Sequence, residues 1–191
     1  MKQVNSILNE DRGFISTRGM SDSERRLVYE AAEDGGIYKI RNGVYATPDA
    51  LADTMVDIEK VVPNGILCWW SAWNIYGLTT QIPNAYYVAI DAKRKVRLPS
   101  YPEFQLVYQA NPRLSIGVTE RDIEGYRVRI YDIERCVCDA IRLRNKIGID
   151  VMAEILRTYL ARPDRYISKL MSYAQRLRVA NILNTYLEVW Q

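Results

Sequence analysis

The chain contains no histidine. Zinc sites with histidine ligands, Ser-His-Asp triads and Cys-His dyads all need an imidazole, so that absence excludes each of them. Cysteine is scarce, with three in 191 residues and two of those in Cys136-x-Cys138. An odd number at that spacing supplies neither a disulfide framework nor a zinc-ligand pattern. Long apolar runs are missing too, since none approaches the roughly 20 residues that a membrane span needs. Met1 to Glu10 shows neither the basic nor the apolar region of a signal peptide, so the expectation is a cytoplasmic protein with no membrane partner. No internal repeat and no low-complexity tract interrupts the chain.

What is present fits a globular protein, with 48% hydrophobic and 26% charged residues. The length suits one ordinary domain, or a small one of about 60 residues joined to a larger one. The net charge of +3 is unevenly spread. Residues 1–62 carry 8 Lys and Arg against 11 Asp and Glu, a net −3, whereas residues 63–191 carry 18 against 12, a net +6. Because affinity for nucleic acid leans on phosphate neutralisation, the second part is electrostatically the better candidate for bulk DNA or RNA contact.

Residues 65–83, GILCWWSAWNIYGLTTQIP, are the stretch around which a core is expected to assemble. Ile66, Trp69, Trp70, Trp73 and Tyr76 recur at helical spacing, and Cys68, Ala72 and Ile75 leave the other side apolar, which predicts a helix buried on most of its circumference. Pro63-Asn64-Gly65 is turn chemistry ahead of it, and Gly77 stands where a left-handed cap glycine belongs.

Before that stretch, Lys2 to Asn9 reads as a short helix. Ser21 or Ser23 caps a second helix over Glu24 to Glu33 with Leu27, Val28 and Ala31 inward. Two alternating runs, Gly36 to Arg41 and Val44 to Ala46, are joined by Asn42-Gly43, a strong hairpin signal. A small helical unit followed at once by a tight hairpin is the order of a winged helix. Asp49 to Val62 predicts one linking helix with Leu51, Met55, Ile58 and Val62 on a face. Strands are predicted over Tyr86 to Asp91, Phe104 to Gln109, Ser115 to Thr119 and Tyr126 to Tyr131, suggesting a mostly antiparallel sheet. Asp132 caps a helix through Asn145, Asp150 caps the next, and Pro163 opens a last helix running to the C-terminus.

Three segments in collinear order carry a resemblance: GGIYKIRNGVYA, then SAWNIYGLTTQIP, then YDIERCVCDAIRLRNKIG with Glu134, Arg135 and Asp139. On these the chain resembles the AbiEi family of antitoxins, the regulatory halves of type IV toxin-antitoxin pairs that serve in phage defence. The resemblance implies a DNA-binding winged helix acting as a transcriptional regulator that represses its own promoter, whose double-stranded DNA would carry repeats. It also implies a C-terminal domain that counteracts a co-encoded nucleotidyltransferase-like toxin. The expected architecture is α+β: a winged helix-turn-helix domain over residues 1–48, a linking helix over 49–62, and a helix-plus-sheet antitoxin domain with C-terminal helices over 63–191.

Arg25, Arg26, Lys39 and Arg41 then fall on the expected recognition helix and wing, where phosphates and base edges would be met, with Arg18, Ser23 and Asn42 beside them. A second basic surface is expected from Lys93, Arg94 and Lys95 in a loop, and from Arg165, Lys169 and Arg176 on one face of the last helix. Arg135 and Asp139, spaced i, i+4, are expected to pair with each other for structure. The expectation is of no enzyme, no cofactor and no metal. Two alternatives stand beside it. One is a Mg²⁺-dependent nuclease in which Asp91 holds the ion and Lys93 orients water, and the other is an interaction module without a nucleic-acid role.

Overall fold

The computed structural model describes residues 13–52, 57–99 and 102–189. The helix expected over Lys2 to Asn9 lies outside them. The fold is α+β, with eight helices and two sheets among the described residues. No helix among those residues is long and apolar enough to cross a membrane.

The first sheet is built from β1 (Phe14–Ser16), β2 (Tyr38–Arg41) and β3 (Val44–Ala46), with β3 central and antiparallel to both neighbours. Between β1 and β2 lies α1 (Asp22–Glu33), whose start is fixed by a capping box. The Ser21 hydroxyl accepts from Glu24 N–H, and the Glu24 carboxylate accepts from Ser21 N–H at 2.8 Å. Each satisfies a donor that the first turn leaves without a helical partner. Asn42-Gly43 makes the two-residue connection expected of it, with Gly43 at φ 73°. The register slips between Lys39 and Arg41, so Ile40 is an extra residue and turns into the core.

Strand alternation sends side chains to two places. Ile15 and Tyr45 join Val28 of α1 and Ile37 in a small cluster. Phe14, Ile40, Val44 and Ala46 point the other way, into the large core that continues through the rest of the chain. The small sheet is therefore covered on both faces. Of a winged helix's parts, the described residues contain the hairpin, one helix ahead of it and the strand that pairs with the hairpin.

The linking segment departs from a single helix over 49–62. It consists of α2 (Pro48–Ala52) and α3 (Ile58–Val61), and residues 53–56 lie outside the described set. Asp57 is extended (φ −65°, ψ 90°) and its side chain accepts from Lys60 N–H at 3.2 Å, so it begins a new helix rather than continuing an old one. Asp and Asn favour such caps over helix interiors.

The second sheet has the order β6-β5-β4-β8-β7, formed by β4 (Ile66–Leu67), β5 (Tyr86–Asp91), β6 (Phe104–Gln109), β7 (Val118–Ile123) and β8 (Tyr126–Tyr131). The pairs β4/β5 and β7/β8 are antiparallel, while β4/β8 and β5/β6 are parallel. The sheet is thus mixed, not mostly antiparallel as expected. Alternation within a strand reveals which face is buried but not which way a neighbour runs. Ile66 is a residue of the central strand β4, not of the tryptophan helix, and α4 covers only Trp69–Ile75. Gly77, at φ 62°, closes α4 as expected, with its N–H on Asn74 carbonyl and Leu78 N–H on Trp73 carbonyl.

Helix α5 (Ile133–Ile147) is capped by Asp132 as expected, its side chain accepting from Arg135 N–H at 2.9 Å. Helix α6 (Ile149–Leu160) starts one residue before Asp150, with Gly148 as its cap. The last helix divides into α7 (Ile167–Arg176) and α8 (Ala180–Val189), with Arg178 between them at φ 62°.

The TTQ segment after α4 is anchored by α6. The Glu154 carboxylate accepts from Thr79 hydroxyl at 3.0 Å and Thr80 N–H at 2.8 Å. Burial alone would raise the Glu154 pKa, but these bonds and Arg157 outweigh it and hold the group below its ordinary 4.5. A depressed folded-state pKa means that the contact stabilises above the ordinary value and fades as pH falls through the folded one. Glu154→Gln should therefore cost about 1 kcal/mol at neutral pH, a low figure because water screens the half-exposed group. Urea melts should show the difference shrinking below about pH 4, whereas a constant difference would contradict the assignment.

Candidate functional site

Arg18 and Asn42 are brought together at the tip of the first sheet. Thr17 donates its N–H to Gly43 carbonyl at 2.8 Å and its hydroxyl to the same oxygen at 3.3 Å. This ties the turn carrying exposed Arg18 to the Asn42-Gly43 connection, whose Asn42 is also exposed. Thr17 is a positioning residue that no sequence pattern marked. Lys39 is exposed on β2 opposite Tyr45. Arg41 pairs in register with Val44, and its side chain lies outside what is described.

The helix contributes less free charge than its sequence suggests. Arg25 lies 3.6 Å from Asp22, and Arg26 donates to Glu30 at 2.8 Å. Both are pairs along one exposed helix, worth little net energy, so a phosphate could recruit either arginine at small cost. Ser23, exposed in the first turn, has its hydroxyl 3.1 Å from that of Ser21.

The second basic surface is not one surface. Lys93 and Lys95 are exposed, but Arg94 is half-buried and donates to Pro63 carbonyl at 2.7 Å, bracing the loop against the turn before β4. Arg165 precedes α7 and donates to Arg162 carbonyl at 2.8 Å, so it is outside the helical face assigned to it. Lys169 is a correction of substance. Its ammonium sits 2.9 Å from the Asp132 carboxylate and 3.1 Å from that of Glu134, which is itself buried. Burial would lower the lysine's pKa, yet the two carboxylates more than reverse this and raise it. Lys169 is a half-buried counter-ion that ties α7 to the start of α5. Arg176 alone of that trio is an exposed cation on α7.

Arg135 makes more side-chain hydrogen bonds than any other group among the described residues. It is wholly buried and paired with Asp139 at 3.2 Å, as the i, i+4 spacing predicts. Its Nη1 also donates to the carbonyls of Arg113 and Ile116, and its Nη2 to Gln109 Oε1, all at 2.8 Å. The guanidinium lies over the Tyr131 ring, 4.1 Å from its centroid. Gly117, at φ 74°, passes so close that a Cβ there would stand 2.6 Å from Arg135 Cβ. A single side chain thereby joins the end of β6, the 3₁₀ turn Arg113–Ser115 and α5. The Glu134-Arg135-Asp139 motif is structural in its contacts.

Asp91 is occupied with its own turn, accepting from Lys93 N–H at 2.8 Å. Asn64, Arg94, Asn111, Ser115 and Arg129 line the small cavity beside it, and no second carboxylate does. Among the described residues no three His, Cys, Asp or Glu side chains group closely enough to hold a metal ion. The three cysteines are free and buried, and burial pushes each thiol up, away from the reactive thiolate.

No protein-family model and no curated protein matches the chain.

Proposed function

We propose that the chain is a DNA-binding antitoxin that represses its own promoter and counteracts a co-encoded nucleotidyltransferase-like toxin. The observation that carries the DNA-binding half is the hairpin tip, where Thr17 holds Arg18 beside Asn42 on a sheet packed against α1. Helix and hairpin on one sheet, with cations and an amide at the exposed end, suit a wing that lies along phosphates and reaches base edges. The antitoxin half rests on the resemblance in the three collinear segments. Its location in residues 63–191 is favoured by the larger core found there.

The test is a mobility-shift titration on the upstream region of the chain's own reading frame. Replacing Arg26 and Lys39 together by alanine should weaken binding by about 1 to 3 kcal/mol if either reads a base. The slope of log K against log salt should also flatten by about two. Both side chains are exposed, so the variant should keep its fold. Unchanged affinity in a folded variant would remove this face from any DNA interface.

A further inference from the structure

A cleft of about 740 Å³ opens between the C-terminal end of β6, the turn after it, the end of α5 and the α7–α8 junction. Its lining contains five cations and neither Asp nor Glu. Arg113, Lys146, Arg176 and Arg178 are exposed and make no ion pair among the described residues. They come from three separate segments, so helical or strand periodicity does not explain their convergence.

The inner wall adds a second, independent signal. Gln109 is 5% exposed, and its Oε1 is taken by Arg135 while its Nε2 finds no acceptor in the protein. Trp69 Nε1 and Arg142 Nε, on two other lining residues, are also buried without acceptors. Arg142 Nη2 lies 3.1 Å from Asp139 Oδ1, yet that oxygen makes no hydrogen bond, so the pair is close without being aligned. Arg142 has that carboxylate oxygen beside it, which leaves Gln109 Nε2 and Trp69 Nε1 as buried donors with no acceptor at hand, each forfeiting its bond to water. Both are donors, and the rim is cationic. What is missing is an acceptor-rich anion.

We propose that this cleft binds a nucleoside polyphosphate. Four unpaired cations match the charge of a di- or triphosphate, and the volume falls within the range of roughly 300 to 1,000 Å³ typical of small-molecule sites. Phosphates that draw the flexible rim side chains onto themselves would uncover the donors of the inner wall. Tyr108, 55% exposed on the lining, offers a face on which a base can stack. A duplex fits poorly, because the phosphates on its convex surface cannot enter a concave site whose donors lie behind the rim. The inference concerns a small-molecule site and does not depend on the antitoxin reading.

The experiment is isothermal titration of the full chain with ATP and GTP, alongside adenosine, inorganic triphosphate and a duplex oligonucleotide. At least one nucleotide should bind saturably, and adenosine should not. The nucleotide should outcompete inorganic triphosphate. Lys146→Ala with Arg176→Ala, two exposed helical positions that accept alanine, should weaken nucleotide binding by about tenfold or more. Gln109→Glu serves as a second variant, because it adds a carboxylate to the inner wall and should abolish binding while circular dichroism reports the fold. The proposal is overturned by no saturable nucleotide binding in the folded wild type, or by equal affinity in the double variant. Inorganic triphosphate binding as tightly as ATP, or the duplex alone occupying the cleft, would also overturn it.

Discussion

Arg135→Ala should destabilise the chain by about 3 to 5 kcal/mol, the usual cost of removing one partner from a buried ion pair. Set against total stabilities of about 5 to 15 kcal/mol, that loss brings the fold near its limit. The change strips the charge-assisted donor from the carbonyls of Arg113 and Ile116 and from Gln109, and leaves Asp139 buried with Arg142 poorly aligned beside it. Lysine should not rescue it, because an ammonium cannot reproduce the planar fork that reaches four acceptors from one point. A double variant, Arg135→Met with Asp139→Leu, should recover only the part of the loss that comes from the unpaired Asp139 carboxylate, since the carbonyls of Arg113 and Ile116 and the Gln109 amide stay without their donor. Urea unfolding followed by tryptophan fluorescence measures both. A single variant losing less than about 1 kcal/mol would show that the guanidinium's bonds are not what holds β6 to α5.

Local features were legible because their causes are local. Asp132 caps α5, Gly77 closes α4 in a left-handed conformation and Asn42-Gly43 makes the hairpin connection, each from chemistry within a few residues. Ile66 was not legible as a strand. Its apolar spacing to Trp69 and Trp73 is what a helix would show, but the decisive fact is that it pairs with Ala89, more than twenty positions away. The direction of β6 relative to β5 was hidden for the same reason.

The candidate site divides in the same way. The i, i+4 pair of Arg135 and Asp139 could be read, while the carbonyls that complete it belong to Arg113 and Ile116, which carry no pattern of their own. The spacing on its helix puts Lys169 on an expected basic surface because its partners, Asp132 and Glu134, are distant in sequence. The cationic cleft has no sequence pattern of its own, although Arg176 falls on the expected basic face. Its charges are single residues on a loop, on α5 and around the α7–α8 break, and the break itself depends on Arg178 adopting φ 62°.

Trp73→Ala should cost about 3 to 5 kcal/mol, comparable to the loss at Arg135 but for a different reason. Trp73 is fully buried, packs edge-on against Trp70 with centroids 5.1 Å apart, and donates its Nε1–H to Cys136 carbonyl at 3.0 Å. Alanine removes the whole ring from the junction of α4 and α5 and leaves a cavity there. Trp73→Phe separates the two contributions, since it keeps an aromatic ring in place but loses the bond to Cys136. That variant should cost about 1 to 2 kcal/mol. The same helix carries Trp69 into the cationic cleft, so α4 must stay docked for that wall to exist. Trp73→Phe should therefore retain the melting cooperativity of the parent chain, whereas Trp73→Ala should lower the urea midpoint steeply. Equal midpoints for the two variants would mean that the indole N–H, and not the ring's volume, secures α4 to α5.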